Sequence, residues 1–109
     1  MRLLAAPEFK RVFARPERSA DAYFTILAIR TGQQPARLGL AISKKQIRRA
    51  VDRNRLKRLV RESFRHRKEQ LVGMNLVVMA RASALEADNA RLAASLAKLV
   101  RKLNTKLDR

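Results

Sequence analysis

One basic stretch, Ser43–Lys68, constrains this chain more than any other part of the sequence. It carries twelve Lys and Arg residues but only two acids, Asp52 and Glu62, and so holds more than half of the net charge of +17. The stretch contains no Pro or Gly, and it is rich in Leu, Arg, Lys and Glu, which favour helices. We therefore predict a long basic helix over residues 44–70.

Helical spacing divides this stretch into two adjacent faces. At about 100° per residue, one arc is apolar and consists of Leu56, Leu59, Val60, Ser63 and Phe64. The neighbouring arc is cationic and consists of Asn54, Lys57, Arg58, Arg61, Arg65 and Lys68. Basic residues four apart repel each other by a few tenths of a kcal/mol per pair in an isolated helix. A polyanion would remove this repulsion, so the pattern favours a binding surface over a solvated face of mixed charge.

Composition sets the class of protein. A chain of 109 residues indicates one domain with a modest core. The pI near 11.8 indicates a polyanionic partner, for which nucleic acid is the first candidate and an anionic membrane the second. The absence of Cys excludes disulfides and thiolate metal sites. No apolar run approaches the ~20 residues that a membrane-spanning helix needs, so we expect a cytoplasmic protein.

The remaining patterns predict a small α+β domain with the element order α-β-β-α-β-α and helices packed on a small mixed sheet. A first helix is expected over 7–15, because Pro suits a first helical turn and Pro16 would end it. Two strands around a turn at 31–36 predict a hairpin over 22–42, with Arg15–Asp21 as a polar connector before it. The other expected elements are a strand over 74–81 and a C-terminal helix over 88–107.

The strand Tyr23–Arg30 is largely apolar on both sides. Alternation places Thr25 and Leu27 on one side and Phe24 and Ile26 on the other. We therefore expect both faces to be covered, or one of them to be a ligand surface.

No catalytic constellation is evident. His66 is the only histidine, the nine acids are scattered, and three glycines leave little room for a phosphate-binding loop. We predict no catalytic residue and no metal site in the protein, which is thus a binder of polyanions. Phe9 and Phe13 are either core anchors or a surface on which bases stack. Ser43 is either a helix cap or a phosphate ligand.

The segment Arg53–Glu62 (RNRLKRLVRE) closely resembles the signature of the bacterial ribonuclease P protein subunit, in its proteobacterial form. The resemblance extends over nearly the whole chain, through Gly39-Leu40, Ser43-Lys44-Lys45, Arg48-Arg49-Ala50, Phe64 and the aromatic pair Phe9 and Phe13. The family implies assembly with a catalytic RNA that removes the 5′ leader of precursor tRNA. It also implies an α+β fold with a left-handed β-α-β crossover, against the usual handedness.

The resemblance also implies roles for individual residues. The catalytic RNA would contact Arg48, Arg49, Arg53, Asn54, Arg55, Lys57, Arg58, Arg61 and Arg65. A groove for the single-stranded leader would be formed by Phe9, Phe13, Ile26, Ser43, Lys44 and Lys45. The protein alone would bind no cofactor, since the chemistry would belong to the RNA and its Mg²⁺ ions. Family members often have a longer basic segment before the first helix, of which Arg2 and Leu3 are present here.

Two other classes of function fit the charge and size. One is a ribosomal or nucleoid-type structural protein that coats RNA or DNA. The other is a membrane-active cationic protein. Its helix would have to insert apolar side chains into the membrane, although the same side chains are needed to cover the sheet.

Overall fold

A computed structural model of the chain describes residues 2–32 and 35–107, with a mixed sheet and three helices. The strands are β1 (Arg2–Leu3), β2 (Glu17–Ala20), β3 (Phe24–Arg30), β4 (Arg37–Leu40) and β5 (Met74–Ala80). The helices are α1 (Ala6–Ala14), α2 (Ala50–Arg65) and α3 (Asn89–Leu107). Short 3-10 helices cover Lys68–Leu71 and Ala82–Glu86. The α+β class and the order of the main elements agree with the sequence prediction.

The strand order is β1-β4-β5-β3-β2, which corrects the predicted hairpin over 22–42. β3 and β4 do not pair, because β5 lies between them, antiparallel to β3 and parallel to β4. The end of β3 is fastened to the start of β5, since the Thr31 N–H donates to the Gly73 carbonyl at 2.7 Å. The predicted turn at 31–36 includes Gln33 and Gln34, which lie outside the described residues.

β4, α2 and β5 form a β-α-β crossover between parallel neighbours. Its left-handed sense, which the family resemblance implies, stays a prediction. The antiparallel edge of the sheet is completed by β2, which occupies the segment expected to be a polar connector. β2 was missed because its sequence, Glu-Arg-Ser-Ala, carries no apolar alternation.

Each face of the sheet packs against different helices. On one face Ile26, Leu76 and Val78 lie in the main core, together with apolar side chains of α2 and α3. The α2 and α3 residues buried in that core are Leu56, Val60, Phe64, Leu92, Leu96, Leu99, Val100 and Leu103. On the other face, Leu27 and Val77 pack with Val12 of α1. The alternation predicted for Tyr23–Arg30 is therefore present, and both faces are covered.

The basic helix is shorter than the predicted 44–70. α2 begins at Ala50, because Arg49 has an extended backbone and the preceding segment forms a turn in which the Ile47 N–H donates to the Ser43 carbonyl at 2.9 Å. Ile47 is fully buried and anchors that turn in the core. At the other end, the chain leaves α2 after Arg65. Three other predicted elements agree with the structure to within one residue at each end: the helix over 7–15 is α1, the strand over 74–81 is β5, and the helix over 88–107 is α3.

Across residues 2–32 and 35–107, no helix has the length and apolar character needed to cross a membrane.

Candidate nucleic-acid interface

The exposed side of α2 forms a cationic surface, which we define by Asn54, Lys57, Arg58 and Arg61. These four side chains, with Glu62, line an open hollow of about 460 Å³. Asn54, Arg58 and Arg61 are exposed and Lys57 is half-buried. They lie together because they follow the 3.6-residue repeat along the arc of α2 next to its buried Leu56, Val60 and Phe64. Three cations and an amide around one hollow suit several phosphate oxygens of a nucleic-acid backbone.

Arg53 extends this surface indirectly, through the turn that precedes α2. Its Nη1 donates to the carbonyls of Ile47 at 2.9 Å and Arg48 at 2.8 Å. Arg53 is half-buried, whereas Arg48 and Arg49 are exposed. Arg53 therefore holds the turn that presents two further cations beside the start of α2.

Arg55 lies apart from the cationic surface. Its Nη2 donates to Asn89 Oδ1 at 2.8 Å and to the Ala87 carbonyl at 3.3 Å, so its guanidinium ties α2 to the beginning of α3. The structure therefore gives Arg55 a clear structural contact. Its predicted contact with the catalytic RNA stays a prediction.

At the end of α2, one carboxylate is surrounded by cations. Glu62 accepts a hydrogen bond from Arg65 Nη2 at 2.6 Å, and His66 Nε2 lies 3.3 Å from the same oxygen. The Arg65 hydrogen bond, together with the Arg65 and His66 charges, holds the pKa of Glu62 below its ordinary value. Glu62 thus stays ionised near neutrality and orients Arg65. All three side chains are exposed, so an incoming phosphate can compete for Arg65.

The second candidate surface lies on the opposite face of the sheet, beside α1. The rings of Phe9 and Phe13 are stacked, with centroids 6.4 Å apart and an angle of 20° between their planes. Phe9 is half-buried against the sheet, whereas Phe13 is 48% exposed. The pair therefore combines an anchored ring with an exposed one, which suits stacking on an unpaired base.

The position of α1 is fixed by Glu8. One carboxylate oxygen of Glu8 accepts from the Ala5 N–H at 2.9 Å, and the other pairs with Arg37 of β4. The Ala5 hydrogen bond and the Arg37 guanidinium lower the pKa of Glu8. Glu8 both caps α1 and connects it to the sheet, which holds the Phe pair in place.

Ile26 does not belong to this surface, and that part of the predicted groove is wrong. Ile26 is fully buried on the other face of the sheet, among core residues under α2 and α3. Leu27 is the buried apolar residue of β3 on the α1 side, and Ile29 and Met79 lie half-buried beside it. The period-two alternation of β3 contains this information, because it puts Leu27 and Ile29 on the face opposite Ile26.

The remaining groove residues lie in the turn after β4. Ser43, Lys44 and Lys45 are all exposed. The Ser43 Oγ accepts from the Gln46 N–H at 3.2 Å, so this hydroxyl caps the turn. The turn is joined to the α1 face through Ala41, which packs in the same apolar cluster as Phe9. Lys44 and Lys45 therefore follow closely, along the chain, a residue that packs in the same cluster as Phe9.

Within the described ranges, no group of three or more His, Asp or Glu side chains is placed to hold a metal ion.

Comparisons with known proteins agree on one family. The family model for ribonuclease P matches residues 1–104. The ribonuclease P protein component of Thioalkalivibrio sulfidiphilus is 47% identical over 105 residues, covering 96% of this chain and 88% of that protein. The corresponding protein of Methylococcus capsulatus is 52% identical over 97 residues, covering 89% and 76% of the two chains.

Solved structures give the same result. The ribonuclease P protein of Thermotoga maritima superposes with a TM-score of 0.82 at 30% identity, covering 94% of this chain and 96% of the other. The ribonuclease P protein of Staphylococcus aureus gives a TM-score of 0.82 at 27% identity, with 92% of each chain covered.

Proposed function

The chain belongs to the ribonuclease P protein family, and we propose that it uses two separate surfaces, one for the catalytic RNA and one for the 5′ leader of precursor tRNA. Members of this family work with the ribonuclease P RNA in a ribonucleoprotein, and the catalytic role lies with that RNA. The family explains why a component of an endoribonuclease has an extensive binding surface and no recognisable catalytic constellation. Coating of ribosomal RNA or of the nucleoid is not favoured by these relatives.

In this proposal the cationic surface of α2 binds the catalytic RNA. The observation that carries the proposal is the hollow around which Asn54, Lys57, Arg58 and Arg61 converge. Neutralisation of phosphates there releases counterions, so affinity should fall steeply with salt. Arg48 and Arg49, held by Arg53, and the exposed Arg65 extend the surface at its two ends.

The leader is bound on the α1 face, by the Phe9–Phe13 pair and the sheet residues next to it. An exposed ring beside an apolar sheet surface accepts bases of any sequence, because every base has a face to stack on. Lys44 and Lys45 are exposed and supply positive charge for the leader backbone. In this scheme the protein positions the substrate in the cytoplasm while Mg²⁺ ions act on the RNA.

The test is cleavage of a precursor tRNA with a 5′ leader by a bacterial ribonuclease P RNA at low Mg²⁺. We expect the protein to restore cleavage at the correct site and to be inert without the RNA. Arg58→Ala should weaken this stimulation. Arg101→Ala, which removes an exposed arginine of α3 outside both surfaces, serves as the matched control and should leave it nearly unchanged.

The proposal fails if the protein binds the RNA tightly but does not stimulate cleavage. It also fails in its assignment of surfaces if Arg58→Ala and Arg101→Ala have equal effects.

A further inference from the structure

A second concave region follows the outer edge of β4, which we call the β4 trough. It consists of two hollows of about 270 and 180 Å³ that share Leu3, Leu38 and Arg61 in their walls. The first hollow ends at Arg65, and the second continues past Lys57 to Phe9. The trough therefore runs from the cationic surface of α2, with which it shares Lys57 and Arg61, to Phe9 of the aromatic pair.

The trough exists because β1 is only two residues long. Leu3 pairs with Leu38, and the Leu4 N–H donates to the Leu38 carbonyl at 3.0 Å, after which the chain turns into α1. β4 continues for two further residues beyond that pairing. The Ala41 N–H donates to Val78 of β5 at 2.9 Å. Because successive backbone groups alternate in direction, the N–H and C=O of Leu40 point to the open edge, into the trough.

The chemistry of the trough is split between an apolar floor and a cationic rim. Leu3 and Leu38 supply the floor, and Leu3 is 59% exposed although it is a large apolar side chain. Lys57, Arg61 and Arg65 stand along one side. A nucleotide matches all three features: a base to cover the leucines, ring nitrogens and exocyclic groups to bond the Leu40 backbone, and a phosphate for the rim. An apolar protein segment would supply no counter-charge to Lys57 and Arg61, whereas Arg65 already pairs with Glu62.

We propose that the β4 trough binds one unstacked nucleotide of the catalytic RNA, and this inference rests on the proposed function. The occupant is assigned to the catalytic RNA because all three rim cations project from α2, the helix proposed to bind that RNA. The exposed Leu3, which lies over the buried Leu38, then contacts the base at an unpaired position. It adds an apolar contribution to an interface that otherwise contacts the charged backbone.

The test compares Leu3→Ser with Leu85→Ser, measured as affinity for the ribonuclease P RNA alone at several salt concentrations. Leu85 is the matched control, because it is a leucine of similar exposure, 40%, in a 3-10 helix outside the trough. We expect Leu3→Ser to weaken binding roughly fivefold, the low end of the effect of removing an aromatic side chain that stacks on a base, because leucine offers only apolar contact. Leu85→Ser should leave affinity unchanged.

The salt dependence separates this contact from the phosphate contacts. Leu3→Ser should leave the slope of log affinity against log salt unchanged, whereas Arg61→Ala should reduce it by about one. Leu3→Met, which keeps an apolar side chain in the trough, should retain nearly the full affinity. This variant also guards against a loss that comes only from disturbed folding of the short β1.

Equal affinities of Leu3→Ser and Leu85→Ser would overturn the inference while leaving the proposed function intact, provided that the unmodified protein still stimulates cleavage. A defect that appears only with leader-bearing precursor tRNA would also overturn it, because the occupant would then be the substrate. If the unmodified protein itself fails to stimulate cleavage, the proposed function is what has failed.

Discussion

The ring of Phe9 lies directly against Gly39, the β4 residue that has no side chain. A Cβ atom at position 39 would lie 2.5 Å from Phe9 Cζ and 2.6 Å from Phe9 Cε1, closer than such contacts occur in proteins. It would also lie 2.9 Å from Leu4 Cδ1. The missing side chain of Gly39 therefore allows α1 to pack closely on the sheet.

The first prediction concerns this contact. Gly39→Ala should lower the free energy of unfolding by about 1–3 kcal/mol, because a methyl group there overpacks the α1 face. Phe9→Leu shortens the opposing side chain. The double variant should therefore lose less free energy of unfolding than the sum of the losses in the two single variants. Denaturant unfolding of the four proteins in a double-mutant cycle measures this coupling. Additive losses would mean that the ring does not depend on Gly39 for its position.

The second prediction concerns Phe13. Phe13→Ala should reduce the preference for precursor tRNA with a leader over leaderless tRNA by roughly fivefold, because an exposed ring next to the apolar sheet face is lost. Affinity for the catalytic RNA alone should be unchanged. Val72→Ala is the control, since Val72 is equally exposed, at 48%, and lies between the end of α2 and β5. An unchanged ratio of the two substrate affinities in Phe13→Ala would remove the leader from the α1 face.

The third prediction separates two arginines of the same helix. Arg58→Ala should lower the salt slope of RNA binding by about one and leave the stability nearly unchanged, because its side chain is exposed in the hollow. Arg55→Ala should instead lower the free energy of unfolding by about 1 kcal/mol, since Arg55 bonds Asn89 and the Ala87 carbonyl. Salt-dependent binding and thermal unfolding of both variants measure the difference. If Arg55→Ala changes the salt slope as strongly as Arg58→Ala, Arg55 also contacts RNA.

These residues also show how far the sequence could lead. The apolar arc of α2 contains Leu56, Val60 and Phe64, which are buried as its spacing predicts. The cations on the neighbouring arc are brought together for the same reason. The helical period alone thus located the main cationic surface.

The sheet was harder to predict, because strand order depends on contacts between distant parts of the chain. β5, which is apolar on both faces, takes the central position between β4 and β3, so these two strands do not pair although they follow each other along the chain. β1 and β2 carry little apolar alternation, and their pairing depends on neighbours. Ile26 was assigned to the leader groove although the alternation of β3 separates it from Leu27. Neither the trough nor the Phe9–Gly39 contact has a local signal, since each depends on this strand order.

The last prediction concerns pH and Asp21, which lies between β2 and β3. Partial burial alone would raise the pKa of Asp21, but hydrogen bonds from Ser95 Oγ and from the Phe24 and Tyr23 N–H groups outweigh it, with help from the Lys98 charge. The pKa of Asp21 in the folded protein is therefore below the ordinary value of 3.8. The charged carboxylate joins the β2–β3 connection to α3.

The sign of the pH effect follows from this depressed pKa. The unfolded chain binds the proton more readily, so the contribution of Asp21 to stability is fully present well above pH 3.8 and is lost as the pH falls through the lower folded pKa. Asp21→Asn keeps an oxygen acceptor but removes the charge, and should lower the free energy of unfolding by about 1 kcal/mol at pH 7. Urea unfolding from pH 7 to pH 3 should show this difference shrinking below about pH 4. Glu86→Gln is the control, at an exposed acid of the second 3-10 helix, and should have almost the same free energy of unfolding as the unmodified protein at any pH. If the loss of stability in Asp21→Asn did not change with pH, packing rather than charge would hold this connection.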